Sequence, residues 1–251
     1  MWDRRRLFRL AALSALAAQG APARLLVVTA TSGFEHASIP VAREVLQRLG
    51  HESGAYRVTV LPDVASLDRL SPETLAVHDA VFFANTSGEL PLTATQKHAL
   101  LDFVAGGGGF LGTHSASDTL YSWPEYGALV GAYFLEHPWT QPAEVTVEHE
   151  THPLTEGLRA SFVIEDEFYV FRTNPRPRAR VLLSLLPESV GIAGPADYPL
   201  SWCARYGAGR SFYTALGHDG ATWEDPRLQR HLLAAVQWAT GRLEAPSDPL
   251  A

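Results

Sequence analysis

Gly106-Gly107-Gly108-Gly109-Phe110-Leu111-Gly112-Thr113-His114-Ser115-Ala116 is the stretch that decides how the rest of this chain reads. A helix opened by the capping box Thr93-Ala94-Thr95-Gln96 stops at Gly106, and a short apolar strand follows. His114 then falls on a sharp strand-to-helix turn. In an α/β protein such a turn, at the carboxyl end of a central strand, presents a nucleophile or a ligand-binding group to a crevice. Serine or cysteine at this place suggests acyl transfer, whereas an imidazole suits proton transfer, metal ligation or hydrogen bonding to a polar ligand.

On both sides of this element strands and helices alternate. Leu25 to Ala30 is an apolar run of the kind buried on both faces, and a helix is expected from about Ser38 to Gly50. Tyr56 to Leu61 and Asp79 to Asn85 read as further strands, and the four strands ending at Gly112 are expected to lie parallel with helices on both sides. In the second half, Glu144 to Glu148, Val163 to Phe171, Arg180 to Leu186 and Gly209 to Leu216 read as strands. Asp225-Pro226 opens a last helix with Leu228, Leu232, Val236 and Ala239 on one face.

With 251 residues, 46% of them hydrophobic, the chain can bury a full core as one α/β domain, expected over residues 24–242 with a tail over 243–251. A formal charge of −7 and no run of Lys or Arg after residue 9 argue against a nucleic-acid groove. Arg4-Arg5-Arg6 followed by the apolar Leu7 to Ala18 resembles a short signal peptide within residues 1–20, too short to span a bilayer. Export to the periplasm is expected if that leader is cleaved, and a cytoplasmic location otherwise. No membrane insertion is expected.

His36, His114 and His218 each lie just after a strand, and strand ends gather along one edge of a parallel sheet. These three imidazoles are therefore expected to converge. Glu165-Asp166-Glu167 places Asp166 on one face of a strand and the two glutamates on the other. Asp166, Glu167 and Tyr169 suit acid-base partners or ligands to sugar hydroxyls. His149-Glu150-Thr151-His152 lacks the spacing of a helical zinc motif, and Pro142 and Pro153 oppose a helix, so it reads as a loop. Trp139 and Trp202 are candidates for a carbohydrate platform, while Tyr126 and Phe134 suit packing.

Six elements occur in order: Gly33-Phe34-Glu35-His36; the glycine-rich elbow through Ala116; Phe134-x-x-His137-Pro138; His152-Pro153-Leu154-Thr155-x-Gly157-Leu158; Asp166-Glu167-x-Tyr169; and Gly207-x-Gly209-Arg210-x-Phe212-Tyr213-Thr214-x-Leu216-Gly217-His218. Together they resemble the ThuA-like family, linked to trehalose utilisation. Leu111 and Thr113 are conservative departures from the family's elbow, and Pro199-Leu200-Ser201-Trp202 follows the family pattern only loosely. The resemblance implies a flavodoxin-like, class I glutamine amidotransferase-like fold, a three-layer sandwich with a mostly parallel central sheet. It also implies that His114 stands where amidotransferases carry their cysteine nucleophile, with His218 near their triad histidine. Without a cysteine at the elbow, thioester chemistry on glutamine is not expected.

The function expected is action on, or binding of, a carbohydrate such as a disaccharide or keto-sugar. His114, His218 and Glu167 are the candidate catalytic groups. His36, Ser115, His137, Trp139, Asp166, Tyr169 and Trp202 are the candidate substrate contacts. No residue is assigned to a metal, no cofactor is certain, and a divalent metal or a homo-oligomer stays open. Two alternatives stay open as well: a catalytically silent metabolite-binding domain, and a hydrolase using another nucleophile such as Ser115. The lone cysteine, Cys203, lies in a strand-like segment away from any elbow. Alkylation with iodoacetamide is expected to leave function intact, and loss of activity in step with thiol modification of the folded protein would overturn that reading.

Overall fold

The computed structural model describes residues 21–250, so the leader expected over residues 1–20 lies outside the described residues. A nine-stranded sheet has the order β2-β1-β3-β4-β9-β8-β7-β5-β6. Its first four strands are β1 (Ala23–Val28), β2 (Tyr56–Leu61), β3 (Ala80–Ala84) and β4 (Gly109–Thr113). They lie parallel, as the apolar runs required, and β4 continues the parallel set to β9 (Gly209–Thr214). The core strands β3 and β4 are buried at every position, which explains their lack of alternation.

Beyond β9 the pairing turns antiparallel through β8 (Pro199–Tyr206), β7 (Arg180–Leu185), β5 (Phe134–Val147) and β6 (Ser161–Phe171). The expected mostly parallel sheet is therefore corrected to one that is parallel at one end only. The physical reason is local: no α-helix intervenes between Val130 and Gly220, and parallel neighbours need a crossover long enough for one. Strand β5 also starts well before the expected Glu144. Its Pro142 is tolerated because that part of β5 pairs with β6 alone, and β7 joins only from Val145.

Helices α1 (Ile39–Ser53), α2 (Pro72–Ala76), α3 (Ala94–Ala105), α4 (Pro124–Val130), α5 (Gly220–Glu224) and α6 (Pro226–Ala239) cover the sheet. Gly109 and Gly112 of β4 point to opposite faces; a Cβ on Gly109 would lie 2.6 Å from Ala239 O of α6, and one on Gly112 would meet Val130 of α4. Helices thus pack on both faces. Helix α1 passes the expected stop at Gly50, which is buried under Tyr56, and ends instead at Gly54 with φ +66°. In α6 the expected Leu228, Leu232, Val236 and Ala239 are all buried. The segment after Gly241 packs back on the domain, where Arg210 donates to Leu243 O and His152 meets Pro246 O. Among the described residues no helix is long and apolar enough to cross a membrane.

One buried polar contact makes the core sensitive to acid. His231 of α6 is 1% exposed, with Nε2 2.8 Å from Ser201 Oγ and Nδ1 2.7 Å from Leu154 O. Burial lowers its pKa from 6.5 to about 4, so the folded chain favours the neutral ring. Protonation therefore favours the unfolded chain; the contribution to stability is complete above pH 6.5 and is lost as pH falls towards 4. Urea unfolding is expected to give a stability about 2 kcal/mol lower at pH 5 than at pH 7.5 from this group alone. His231→Gln should remove that part of the difference, and an unchanged difference in the variant would refute the assignment.

Candidate functional site

The elbow after β4 places His114 in the left-handed region, φ +48°, at the head of a short 3-10 turn spanning His114–Asp118. A non-glycine residue there carries a backbone cost of about 1–3 kcal/mol, offset only where its surroundings hold it. Those surroundings are polar and buried. Thr113 Oγ1 donates to Asn85 Oδ1 at 3.0 Å, and Asn85 Nδ2 donates to Gly217 O at 2.7 Å and to Ser38 Oγ at 3.1 Å. Asn85, itself at φ +52°, thereby ties the end of β4 to the loops that follow β1, β3 and β9.

The three expected imidazoles do converge on this floor. His114 Nε2 lies 3.1 Å from His36 Nε2 and 3.2 Å from His218 Nδ1. Glu167 joins them from β6, with Oε2 3.5 Å from His114 Nε2 and 3.3 Å from His218 Nδ1. The ligand-type atoms of His36, His114, Glu167 and His218 all lie within 4.8 Å of one another, the one such histidine and carboxylate group among the described residues. Tyr169 Oη stands 2.9 Å from His114 Nε2, and Ser115 Oγ 3.3 Å from His36 Nδ1. Glu167 Oε1 faces outward to His137 Nδ1 at 3.1 Å. His137 reaches it because two register shifts, between Phe134 and Glu136 and between Glu136 and Trp139, bulge β5 against β6 and re-aim the side chain.

Burial sets the charge state of this group. His114 is fully buried, which drives its pKa well below 6.5, and burial lowers His36 to about 4. His218 is raised instead, chiefly by its hydrogen bond to Glu167. Burial pushes the Glu167 carboxyl up, but the bond to His218 and the surrounding imidazoles outweigh it and hold it below the usual carboxylate range. Burial thus favours the neutral ring in His36 and His114, while the contact with Glu167 favours the protonated ring in His218. Burial keeps the Tyr169 hydroxyl protonated, far above its ordinary value.

Other expected site residues stand elsewhere. Asp166 points away from the cluster: its carboxylate accepts from Gly217 N at 2.8 Å, His218 N at 3.0 Å and Glu167 N at 2.9 Å, so it shapes the loop that carries His218. Burial lifts Asp166 to about 7, against the pull of those three N–H groups. Trp202 is 1% exposed, stacks on Tyr213 and donates to Val130 O, which makes it core instead of platform. Trp139 packs edge-on against Tyr198, apart from the imidazoles. The His149 to His152 segment is a turn, as expected, with His152 Nδ1 accepting from Leu154 N.

A cavity of about 180 Å³ opens beside the cluster, lined by His36, His137, Glu167, Tyr169 and His218 with Phe34, Phe134 and Asp118. Phe34, at the lip, is 65% exposed, and Phe134 packs against Tyr169 with ring centroids 4.3 Å apart. Phe134 is thus wall as well as packing. Sequence reasoning missed Asn85, Asp118 and the wall role of Phe134; a buried amide directly after a buried strand is the signal that could have flagged Asn85. A larger groove of about 540 Å³, lined by Leu75, Ala99 and Phe103 among others, carries only His98 and Asp102 as titratable groups. Chemically, the smaller cavity offers neutral imidazole nitrogens, a carboxylate and a phenol at one point. Such a set can move a proton, hold a polar ligand or ligate a divalent cation.

The same architecture occurs in a ThuA-like protein of Bacteroides uniformis, 26% identical, with a TM-score of 0.72 over 87% of this chain and 92% of that one. A ThuA-like protein of Parabacteroides merdae shares the fold at 21% identity, with a TM-score of 0.70 over 90% of this chain and 92% of that one. A β-galactosidase of Bacillus circulans sp. alkalophilus contains the fold within 32% of its length, at 15% identity and a TM-score of 0.58 over 90% of this chain. No curated protein matches the sequence. The model of the ThuA family, described as trehalose utilisation, matches residues 24–239, and the chain belongs to that family.

Proposed function

We propose that this protein acts on a carbohydrate in the cavity beside the imidazole cluster, with His114, His218 and Glu167 as the reacting groups. The observation that carries the reading is the meeting of three histidines and a glutamate within 4.8 Å at the foot of an aromatic-walled cavity. The family description, trehalose utilisation, supports a sugar as ligand. Sugar recognition combines ring faces stacked on aromatic side chains with hydroxyls held by charged and polar groups. Phe34 and Phe134 supply the first, and His137, Tyr169 and Glu167 the second. At about 180 Å³ the cavity is smaller than the roughly 300 Å³ or more of a drug-sized pocket, so it takes one sugar unit and leaves the rest of a disaccharide outside. Proton transfer beside a sugar carbonyl or glycosidic oxygen is the reaction this floor suits.

The test is a screen of the purified protein against disaccharides and their 3-keto forms, by turnover and by calorimetry. His218→Ala and Glu167→Gln are each expected to lower turnover by about a hundredfold or more, the usual range for a proton-transfer group. His114→Gln separates the enzyme from a silent binding domain, because it keeps a hydrogen-bonding group and removes the imidazole. An enzyme loses turnover in that variant. Sugar binding that survives it, with no turnover in the wild type, would replace the enzymatic reading by the binding one.

A further inference from the structure

The protonation states around His114 do not close as a hydrogen-bond network. Its Nδ1 lies 2.9 Å from Ala215 O, and a carbonyl can only accept, so Nδ1 carries the proton. In the neutral ring Nε2 then has one lone pair and no hydrogen. Tyr169 Oη at 2.9 Å, His36 Nε2 at 3.1 Å and His218 Nδ1 at 3.2 Å crowd that lone pair, and the Glu167 carboxylate stands at 3.5 Å. A proton on His218 Nδ1 is taken by Glu167 Oε2 at 3.3 Å; a proton on His36 Nε2 competes with the Tyr169 hydroxyl for the one lone pair, and without it two bare imidazole nitrogens face each other.

We propose that His36, His114, His218 and Glu167 bind one divalent transition-metal ion, using His36 Nε2, His114 Nε2, His218 Nδ1 and Glu167 Oε2. A tetrahedral zinc with bonds of about 2.05 Å sets its ligand atoms about 3.3 Å apart. Four of the separations here are 3.1, 3.2, 3.3 and 3.5 Å, close to the edges of that tetrahedron. The two remaining pairs, His36 with His218 and His36 with Glu167, also lie within 4.8 Å. The cavity is lined by the same His36, Glu167 and His218, which gives a small ligand access to the ion. Nitrogen-rich donors suit zinc, cobalt or iron, whereas magnesium and calcium need oxygen cages.

The supporting groups are those a metal site requires. His114 Nδ1–H is held by Ala215 O, His36 Nδ1 faces Ser115 Oγ, and Glu167 Oε1 faces His137, so in three of the four ligands the atom pointing away from the ion is engaged. The inference rests on the same cluster as the carbohydrate reading. With the ion in place His114 and His218 would be its ligands, and of the three reacting groups Glu167 alone would keep a free oxygen, Oε1, beside His137 at the cavity.

The experiment is zinc titration of the chelator-treated full chain by calorimetry, with cobalt(II) absorption as a second probe and thermal unfolding as a third. One equivalent of zinc is expected per chain, with a visible four-coordinate cobalt spectrum and a raised Tm. His218→Ala and Glu167→Gln should weaken zinc at least tenfold and abolish the Tm increase, while His98→Ala, exposed on α3, should bind as the wild type. His218 is the preferred variant because it is part-exposed and its loss leaves the core intact, whereas His114→Ala risks misfolding. Equal zinc affinity in wild type and His218→Ala, or no zinc or cobalt binding by the wild type, would overturn the site. Zinc binding with neither sugar turnover nor sugar binding sustains the metal site and removes the carbohydrate reading. Turnover by a protein that binds neither metal does the reverse.

Discussion

The site depends on the hydrogen bond from His114 Nδ1 to the Ala215 carbonyl, 2.9 Å long and fully buried. It follows from register. In the parallel pair β4 and β9, Thr113 lies opposite Thr214, so the next residue of each strand, His114 and Ala215, meet where the ladder ends. The carbonyl fixes which nitrogen is protonated, and the other is thereby bare and aimed at His36, His218 and Glu167. Slippage of β9 by one residue would remove the acceptor and leave a buried imidazole unsatisfied, at a cost of about 1–3 kcal/mol.

Around that bond the chain keeps polar groups inside where apolar ones would pack more simply. Asn85, Thr113, Ser38 and Asp166 are all buried, and each is bonded to backbone or side chain of another loop. These contacts hold two left-handed non-glycine residues, Asn85 and His114, in place. Gly217, at φ +126°, lets the chain turn so that its carbonyl meets Asn85 while its amide, with that of His218, meets Asp166. The loops after four strands are in this way set against one another, which is how a cluster drawn from residues 36, 114, 167 and 218 acquires one geometry.

In the same frame the elbow and the lone thiol stand apart. The elbow carries an imidazole, and the lone thiol, Cys203, is buried in β8 with its pKa pushed up to about 12. A thiol so protonated, and so placed, is a packing group. Ser115 is next to the elbow but directs its hydroxyl at His36 Nδ1, where it orients a ring.

Local pattern alone determined the parallel half. Continuous apolar runs in β1, β3 and β4, the capping box at Thr93 and the stop at Gly106 name their own structure, because burial on both faces and helix ends leave direct marks in residue type. The position of His36, His114 and His218 after strands was legible for the same reason. Two things were decided only by the tertiary structure. Strands β5 and β6 close the sheet antiparallel and bring Glu167 and Tyr169 back over His114, which no alternation within β6 specifies, since pairing partner and curl are set by distant residues. The fate of Asp166, Trp139 and Trp202 was likewise undetermined: an acid or a ring in a strand reads the same whether its face meets a cavity or a neighbouring loop. Which it meets depends on the packing of the whole sheet.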